Sequence, residues 1–187
     1  MATIPASWIV LVAVALIALI AAAAWALSHR KKQSERLQQR FGSEYVRTVD
    51  ELGGRSKGES ELKAREVRVE KLSIAPLAPP DAARFAQAWN ALQSRFVDNP
   101  KDVVVQADQL VRELMLKRGY PMGDFEHRAA DISVDHPAAV EAYRSAQGIA
   151  VRDQRGEADT EELRKAVVHY RVLFDELLEI RVPKQAA

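Results

Sequence analysis

The sequence predicts an all-α protein, a helical bundle of about five to seven helices tethered to one N-terminal transmembrane helix. Three observations predict this fold class. Residues 8–27, here called the anchor segment, contain no charged side chain. In the later segments, apolar residues recur at spacings of three and four, as on one face of a helix. No segment shows the sustained alternation of period two that is typical of a strand.

The anchor segment has the length and the flanks of a membrane-spanning helix. At about 1.5 Å per residue it is about 30 Å long, which matches the hydrocarbon core of a bilayer. Trp8 and Trp25 lie near its ends, and indole rings are favoured at the membrane interface. A basic collar of Arg30, Lys31 and Lys32 follows. We therefore predict that the chain contacts a lipid bilayer and that these five residues lie at the interface.

The charges around the anchor segment predict its orientation. Residues 1–7, a short N-terminal tail, contain no Lys or Arg, whereas the basic collar follows the segment. Flanks rich in Lys and Arg stay in the cytoplasm, so the C-terminal domain is predicted to be cytoplasmic. Residues 22–26 also satisfy the small-residue rule for signal-peptide cleavage. The alternative is therefore an exported domain, periplasmic or secreted, that cleavage releases.

Residues 28–80 are predicted to be a basic juxtamembrane segment with amphipathic helices. One helix is expected at 34–52 and another at 59–72, with the glycine-rich break 53–58 between them. The proline-rich segment 74–80 must be extended, because each proline disfavours helix in the residue before it. That segment is the predicted internal boundary. The sequence leaves open whether the helices before it form a stalk or pack on the later helices.

Residues 81–182 are predicted to be the C-terminal helical domain, and residues 183–187 a tail. Its helices are expected at 81–97, 101–118, 124–130, about 137–151 and 160–180. The last helix has the clearest apolar face. The residues of that face are Leu163, Val167, Tyr170, Phe174 and Leu177.

Local signals mark the ends of these helices. Gly119 predicts a stop in the left-handed conformation after the second helix of the domain. A break near Ser133 is expected, with either Ser133 or Asp135 capping the next helix. Asp159 and Glu162 form a capping box before the last helix.

Composition excludes several classes of site. Three of the 27 basic residues lie in residues 1–34, which hold no acid, so residues 35–187 carry 24 basic and 26 acidic residues. That near-neutral balance argues against nucleic-acid binding. The chain has no cysteine, which excludes disulfides, cysteine–zinc sites and iron–sulfur clusters. Phosphate-binding, zinc-protease and serine-hydrolase motifs are absent from the sequence, so no cofactor is predicted.

The polar residues with the most suggestive spacing lie between 126 and 136. His127, Asp131 and Asp135 are four residues apart, and His136 follows. If one helix ran through them, His127 and Asp131 would share a face and could chelate a metal or act as an acid and a base. The predicted break favours structural roles instead, a cap for Asp135 and a surface position for His127. Four further residues are expected to form buried polar bridges between helices. They are Tyr143, Arg144, Tyr170 and Arg171.

Five segments together resemble a group of uncharacterised bacterial proteins. The segments are 40–45 (RFGSEY), 95–100 (RFVDNP), 118–121 (RGYP), 128–137 (RAADISVDHP) and 169–174 (HYRVLF). Proteins of that group carry one N-terminal hydrophobic segment and are described as membrane or secreted proteins. The resemblance implies a bacterial cell membrane and brings no activity with it.

The function that these observations predict is that of a membrane-anchored interaction or scaffold domain without evident catalytic activity. Its expected partner is another protein or a second copy of the chain. One alternative is a metal-binding or acid/base enzyme domain that uses residues 126–136. The other is the exported envelope protein.

Overall fold

The computed structural model describes residues 6–178, except for the side chains of residues 6–15, 18 and 26. Within that range the chain forms eight α-helices and no strand, so the all-α prediction is confirmed. The helices are α1 Ala6–Phe41, α2 Ser43–Glu51, α3 Arg55–Glu70, α4 Pro79–Ser94, α5 Pro100–Arg118, α6 Phe125–Asp135, α7 Pro137–Gln154 and α8 Thr160–Leu178.

The chain divides into two compact units, Met1–Arg40 and Phe41–Ala187. Helix α1 runs without a break through the whole anchor segment and the basic collar. An ion pair joins Lys31 and Glu35 one turn apart, with 3.9 Å between Nζ and Oε1. Six of its large apolar side chains are exposed. They are Leu16, Ile17, Leu19, Ile20, Trp25 and Leu27.

Among the described residues, no helix has the length and apolar character needed to cross a membrane. The side chains of residues 8–15, 18 and 26 of the anchor segment are not described. Trp8, one of the predicted interface residues, is among them. Membrane insertion therefore stays a prediction.

The hydrophobic core of the second unit is built by α4 to α8. Helix α8 packs on both α5 and α7, α4 packs on α5, and α6 packs on α7. All five residues of the predicted apolar face of α8 are buried, so that prediction is confirmed. Trp89 of α4 packs on Phe174 of α8, with 4.6 Å between ring centroids.

The capping box before α8 is confirmed. The Glu162 backbone N–H donates to Asp159 Oδ1 at 2.8 Å, and the Asp159 N–H donates to Glu162 Oε2 at 3.2 Å. Gly119 ends α5 with a φ of 100°, as predicted. A side chain at that position would also lie 2.6 Å from the Ser73 carbonyl oxygen, so two constraints require glycine.

The break predicted near Ser133 is wrong, because α6 continues to Asp135. The Ser133 hydroxyl donates to the Ala130 carbonyl oxygen at 2.6 Å, which satisfies it inside a helix. Neither predicted residue caps α7. His136 occupies the N-cap without a side-chain capping bond, and Pro137 begins the helix.

The helix expected at 34–52 is divided at Gly42, whose φ of 54° ends α1 and lets α2 begin. Helices α2 and α3 pack on each other as a hairpin, and α2 also packs on α7 and α3 on α6. The hairpin therefore belongs to the second unit and is not a stalk. The proline-rich segment runs inside that unit as well, where the Ala75 N–H donates to the Arg118 carbonyl at 3.0 Å.

Two glycines within helices test how closely the hairpin is packed. A side chain at Gly58 of α3 would lie 2.8 Å from the Val49 Cα of α2, whereas one at Gly148 of α7 would meet nothing within 4 Å. We expect Gly58→Ala to lower the free energy of unfolding by about 1–3 kcal/mol, because backbone would have to move. Gly148→Ala should raise it by about 0.5–1 kcal/mol through helix propensity. Urea unfolding followed by circular dichroism measures both, and equal effects would contradict the close approach of α2 and α3.

Candidate functional site

The polar residues predicted between 126 and 136 lie on or next to α6, but each is engaged with a different neighbour. Asp131 is 3% exposed and its Oδ1 accepts from Arg68 Nε of α3 at 2.7 Å. His127 is exposed, and its Nδ1 lies 2.9 Å from Asp124 Oδ1 at the start of the helix. The backbone N–H of His127 also donates to Asp124, and this bond holds the pKa of the Asp124 carboxyl below its usual value.

The other two members of that cluster contact the loop before α6 and helix α8. Asp135 Oδ2 accepts from the Tyr120 hydroxyl at 3.4 Å. His136 Nδ1 lies 3.5 Å from Glu176 Oε2 of α8. Although α6 places His127 and Asp131 on one face, Asp131 is held by Arg68. No group of three or more potential ligands among the described side chains could hold a metal ion. Asp131 and His136 therefore contact other helices, whereas His127 contacts the N-cap of its own helix and Asp135 contacts the loop before that helix.

The most buried charge of the hairpin is Glu44 of α2, which is 2% exposed. Its Oε1 accepts from Arg144 Nε of α7 at 2.7 Å, and its Oε2 accepts from Arg144 Nη2 at 3.3 Å. Arg65 of α3 donates to the same Oε2 at 3.5 Å. One carboxylate thus connects both arms of the hairpin to α7. Such a buried carboxylate is tolerated only because two guanidinium groups compensate its charge.

Arg144 extends the connection to α6. Its Nη1 donates to Glu126 Oε2 at 2.6 Å, and its guanidinium lies 5.8 Å from the Phe125 ring centroid. Burial lowers the pKa of Arg144, but its hydrogen bonds to Glu44 and Glu126 outweigh burial and raise the pKa overall. Arg144 is therefore charged at every physiological pH.

These contacts form what we call the hairpin clamp, the buried ion pairs that hold α2 and α3 against α6 and α7. Its residues are Glu44, Arg65, Arg68, Asp131 and Arg144. The buried apolar residues of the hairpin do not belong to the main core cluster, which begins at α4. The hairpin thus lies on the core as a separate layer, which the clamp joins to α6 and α7.

A surface groove of about 520 Å³ lies beside the clamp, between α2, the start of α6 and α7. Its lining residues are Arg47, Asp124, Phe125, Glu126, Arg144, Gln147, Gly148 and Val151. Gly148 lies within α7 and has open space where a side chain would be. A glycine inside a helix costs about 1 kcal/mol, and no close contact in the described structure explains this one. Gly148 therefore leaves its part of the groove lining without a side chain.

Three of the four predicted polar bridges join different helices. Arg144 is the centre of the clamp, the Tyr143 hydroxyl accepts from Arg128 Nε of α6 at 3.3 Å, and the Tyr170 hydroxyl donates to Gln147 of α7 at 3.4 Å. Arg171 differs, because it bonds Asp175 on its own helix. It also lies 5.5 Å from the Trp89 ring centroid, so it reaches α4 through a cation–π contact.

The sequence analysis missed Glu44 and Asp131 as buried ion-pair partners. A signal for Glu44 exists in the sequence. It lies three residues after Phe41 and directly before Tyr45 on the predicted helix, so it flanks the apolar face that becomes buried. No comparable signal identifies Arg68, which is 63 residues away from its partner Asp131.

No protein-family model, no curated protein and no solved structure matches this chain. The resemblance to bacterial membrane or secreted proteins therefore stays a prediction.

Removal of the Glu44 charge at the centre of the clamp should destabilise the folded protein. We expect Glu44→Gln to lower the free energy of unfolding by about 2–4 kcal/mol, because it leaves Arg144 and Arg65 without their shared carboxylate. Glu51→Gln is the matched control on the same helix, since it breaks only the exposed pair with Arg47. Its effect should stay within about 0.5 kcal/mol. Urea unfolding of both variants provides the comparison, and equal losses would show that the clamp does not hold the hairpin.

The two tyrosines between the core helices should make stability fall at alkaline pH. Burial raises the pKa of both Tyr143 and Tyr170 above the ordinary value near 10. The folded state therefore favours the neutral phenol, so the stabilisation is complete below about pH 10 and is lost as the pH rises further.

Ultraviolet titration of tyrosinate checks this expectation. Tyr143 and Tyr170 should ionise only together with unfolding, so Tyr143→Phe with Tyr170→Phe should reduce the absorbance change of that step. Ionisation of these two tyrosines in the folded protein would contradict the burial of their hydroxyls.

Proposed function

We propose that the chain is a single-pass protein of a bacterial inner membrane. In this proposal, its C-terminal helical domain lies in the cytoplasm and binds another protein or a second copy of itself. The bacterial membrane comes from the sequence resemblance, and the cytoplasmic side comes from the basic collar. Neither the position in the cell nor a partner follows from the helices alone.

The proposal that α1 anchors the chain in a membrane is supported by the exposed large apolar side chains of this helix. Leu16, Ile17, Leu19 and Ile20 lie within little more than one turn of the helix, and all four are exposed. Apolar surface exposed to water costs about 25 cal/mol per Å², so a helix of this kind is favoured in an apolar environment. A helix also satisfies its own backbone hydrogen bonds, which a membrane span requires.

The proposal that the helical domain binds a protein is supported by the contacts that the polar side chains of the second unit make. The side chains with ligand-like spacing each contact a different neighbour, and Asp131 in particular accepts a hydrogen bond from Arg68. The groove beside the clamp is open and bears both signs of charge, from Arg144, Glu126 and Asp124, with Phe125 and Val151 as apolar lining. Mixed surfaces of this type are suited to a protein segment. These features favour a binding domain over a metal enzyme.

Membrane integration tests the first part of the proposal. Full-length protein expressed in bacteria should remain in the membrane pellet after alkaline carbonate extraction. Leu16→Arg combined with Ile20→Arg should move it to the supernatant, since each arginine at the centre of a span costs about 2.5–3.5 kcal/mol on insertion scales. The matched control is Val168→Arg with Val172→Arg, two exposed positions of α8 four residues apart. Wild-type protein in the supernatant would contradict the prediction that α1 anchors the chain in the membrane.

A reporter enzyme fused after Ala187 measures on which side of the membrane the C-terminal domain lies. Activity of a cytoplasm-active reporter, without activity of a periplasm-active one, is the expected result. Replacement of Arg30, Lys31 and Lys32 by Gln should reduce that preference, because the collar supplies the retained positive charge. Periplasmic activity, together with a mature mass that lacks the anchor segment, would instead support the exported alternative.

A further inference from the structure

The outer face of α8 carries two valines that are exposed to solvent. Val168 is 51% exposed and Val172 is 42% exposed. They are four residues apart, so they lie in one row along the helix. The buried residues of α8 lie on its other side, where the helix packs on α5 and α7. The two valines therefore form an apolar row on the outside of the helical domain.

Charged residues flank this row with the same order of signs on both edges. Arg164 and Asp175 are eleven residues apart, as are Lys165 and Glu176, and all four are exposed. Eleven residues correspond to about three turns of an α-helix, so each pair lies along one edge of the face. On each edge the basic residue is nearer the start of α8 and the acidic residue is nearer its end.

The start of this face retains a positive charge after its own acid is counted. Glu161 accepts from Arg164 Nε at 2.8 Å and lies one turn before Lys165. Two basic side chains therefore lie beside one acid. The next acid, Glu162, is only partly exposed and bonds Arg152 of α7, so it belongs to the side of the helix that faces α7.

The end of the face retains a negative charge in the same way. Arg171 Nε donates to Asp175 Oδ1 at 2.7 Å, and its guanidinium also contacts the Trp89 ring. Glu176 Oε2 lies 3.5 Å from His136 Nδ1. With histidine counted as neutral at pH 7, two acids lie beside one arginine. Both carboxylates are exposed and can accept further hydrogen bonds, because each carboxylate oxygen has two lone pairs.

The valine pair and the two charged pairs share one midpoint close to position 170. A twofold axis beside that position would relate two antiparallel copies of α8. Val168 of one copy would then contact Val172 of the other, and the basic end of each copy would lie opposite the acidic end of the other. Parallel copies would instead bring like charges together, which is unfavourable. The face is therefore self-complementary in the antiparallel arrangement.

We propose that this face of α8 binds a second copy of the chain, with the two α8 helices antiparallel. The inference rests on the proposed role of the helical domain in protein binding, and it names the partner. Two valines from each copy make a small apolar contact, so the dimer should be weak and sensitive to salt. The matched charges then determine which partner and which orientation are accepted.

Crosslinking of single-cysteine chains tests this contact. Because the chain has no cysteine, Val172→Cys provides one site, which would lie close to the same site of the second copy. Val46→Cys, at a position of α2 that is 58% exposed, is the matched control. The full-length protein is purified in detergent, with micelles in large excess over protein, and is treated with a short bismaleimide. Position 172 should give at least about fivefold more crosslinked dimer than position 46.

Charge reversal distinguishes a second copy from any other occupant. Arg164→Glu with Lys165→Glu gives one variant of the Val172→Cys chain, and Asp175→Lys with Glu176→Lys gives another. Either variant alone places like charges together and should lose at least about fivefold of the dimer. In an equal mixture opposite charges meet again at both ends of the contact, so crosslinking should return. Circular dichroism verifies that both variants keep their helices.

Two results would overturn the inference. One is equally low crosslinking at positions 172 and 46 in a chain that carbonate does not extract from membranes, because the anchored domain then binds a different protein. The other is crosslinking at position 172 that the charge reversals leave unchanged or that the mixture does not restore. Recovery in the mixture would uphold the inference even if carbonate extracts the wild-type chain, a result that contradicts only the membrane anchor.

Discussion

The buried carboxylate of Glu44 is the contact on which the arrangement of the second unit depends. It lies between Arg144 of α7 and Arg65 of α3, so a single side chain links three helices. Buried ion pairs add little net stability, because desolvation of the charges offsets most of their attraction. Their geometry is nevertheless demanding, since a displaced partner leaves an uncompensated charge. The clamp therefore acts on the position of the hairpin more than on the overall free energy of folding.

The second unit accordingly has two kinds of packing, one in its hydrophobic core and one at the hairpin. Helices α4 to α8 share one hydrophobic core, with Trp89, Tyr143 and Phe174 fully buried in it. Non-directional apolar burial supplies most of the driving force there. The hairpin of α2 and α3 is attached by directional bonds, including the pair between Arg68 and Asp131.

The candidate site shows where reasoning from sequence reaches its limit. Spacing correctly indicated that His127 and Asp131 share a helical face, yet spacing could not indicate that Arg68 would occupy Asp131. The break expected near Ser133 did not occur, because the hydroxyl found a carbonyl one turn earlier and the helix continued. A serine satisfied inside a helix and a serine at a cap look the same in sequence. Only the surrounding backbone distinguishes them.

The sequence by itself determined the all-α class, the apolar face of α8, the capping box at Asp159 and the stop at Gly119. These features depend on residues within one or two turns of each other, so local physical chemistry is sufficient. The tertiary structure alone decided that α2 and α3 pack on the later helices and that Glu44 meets Arg144, 100 residues further along the chain. Such pairings depend on which surfaces meet after the helices assemble, and the spacing of residues within one segment carries no information about them.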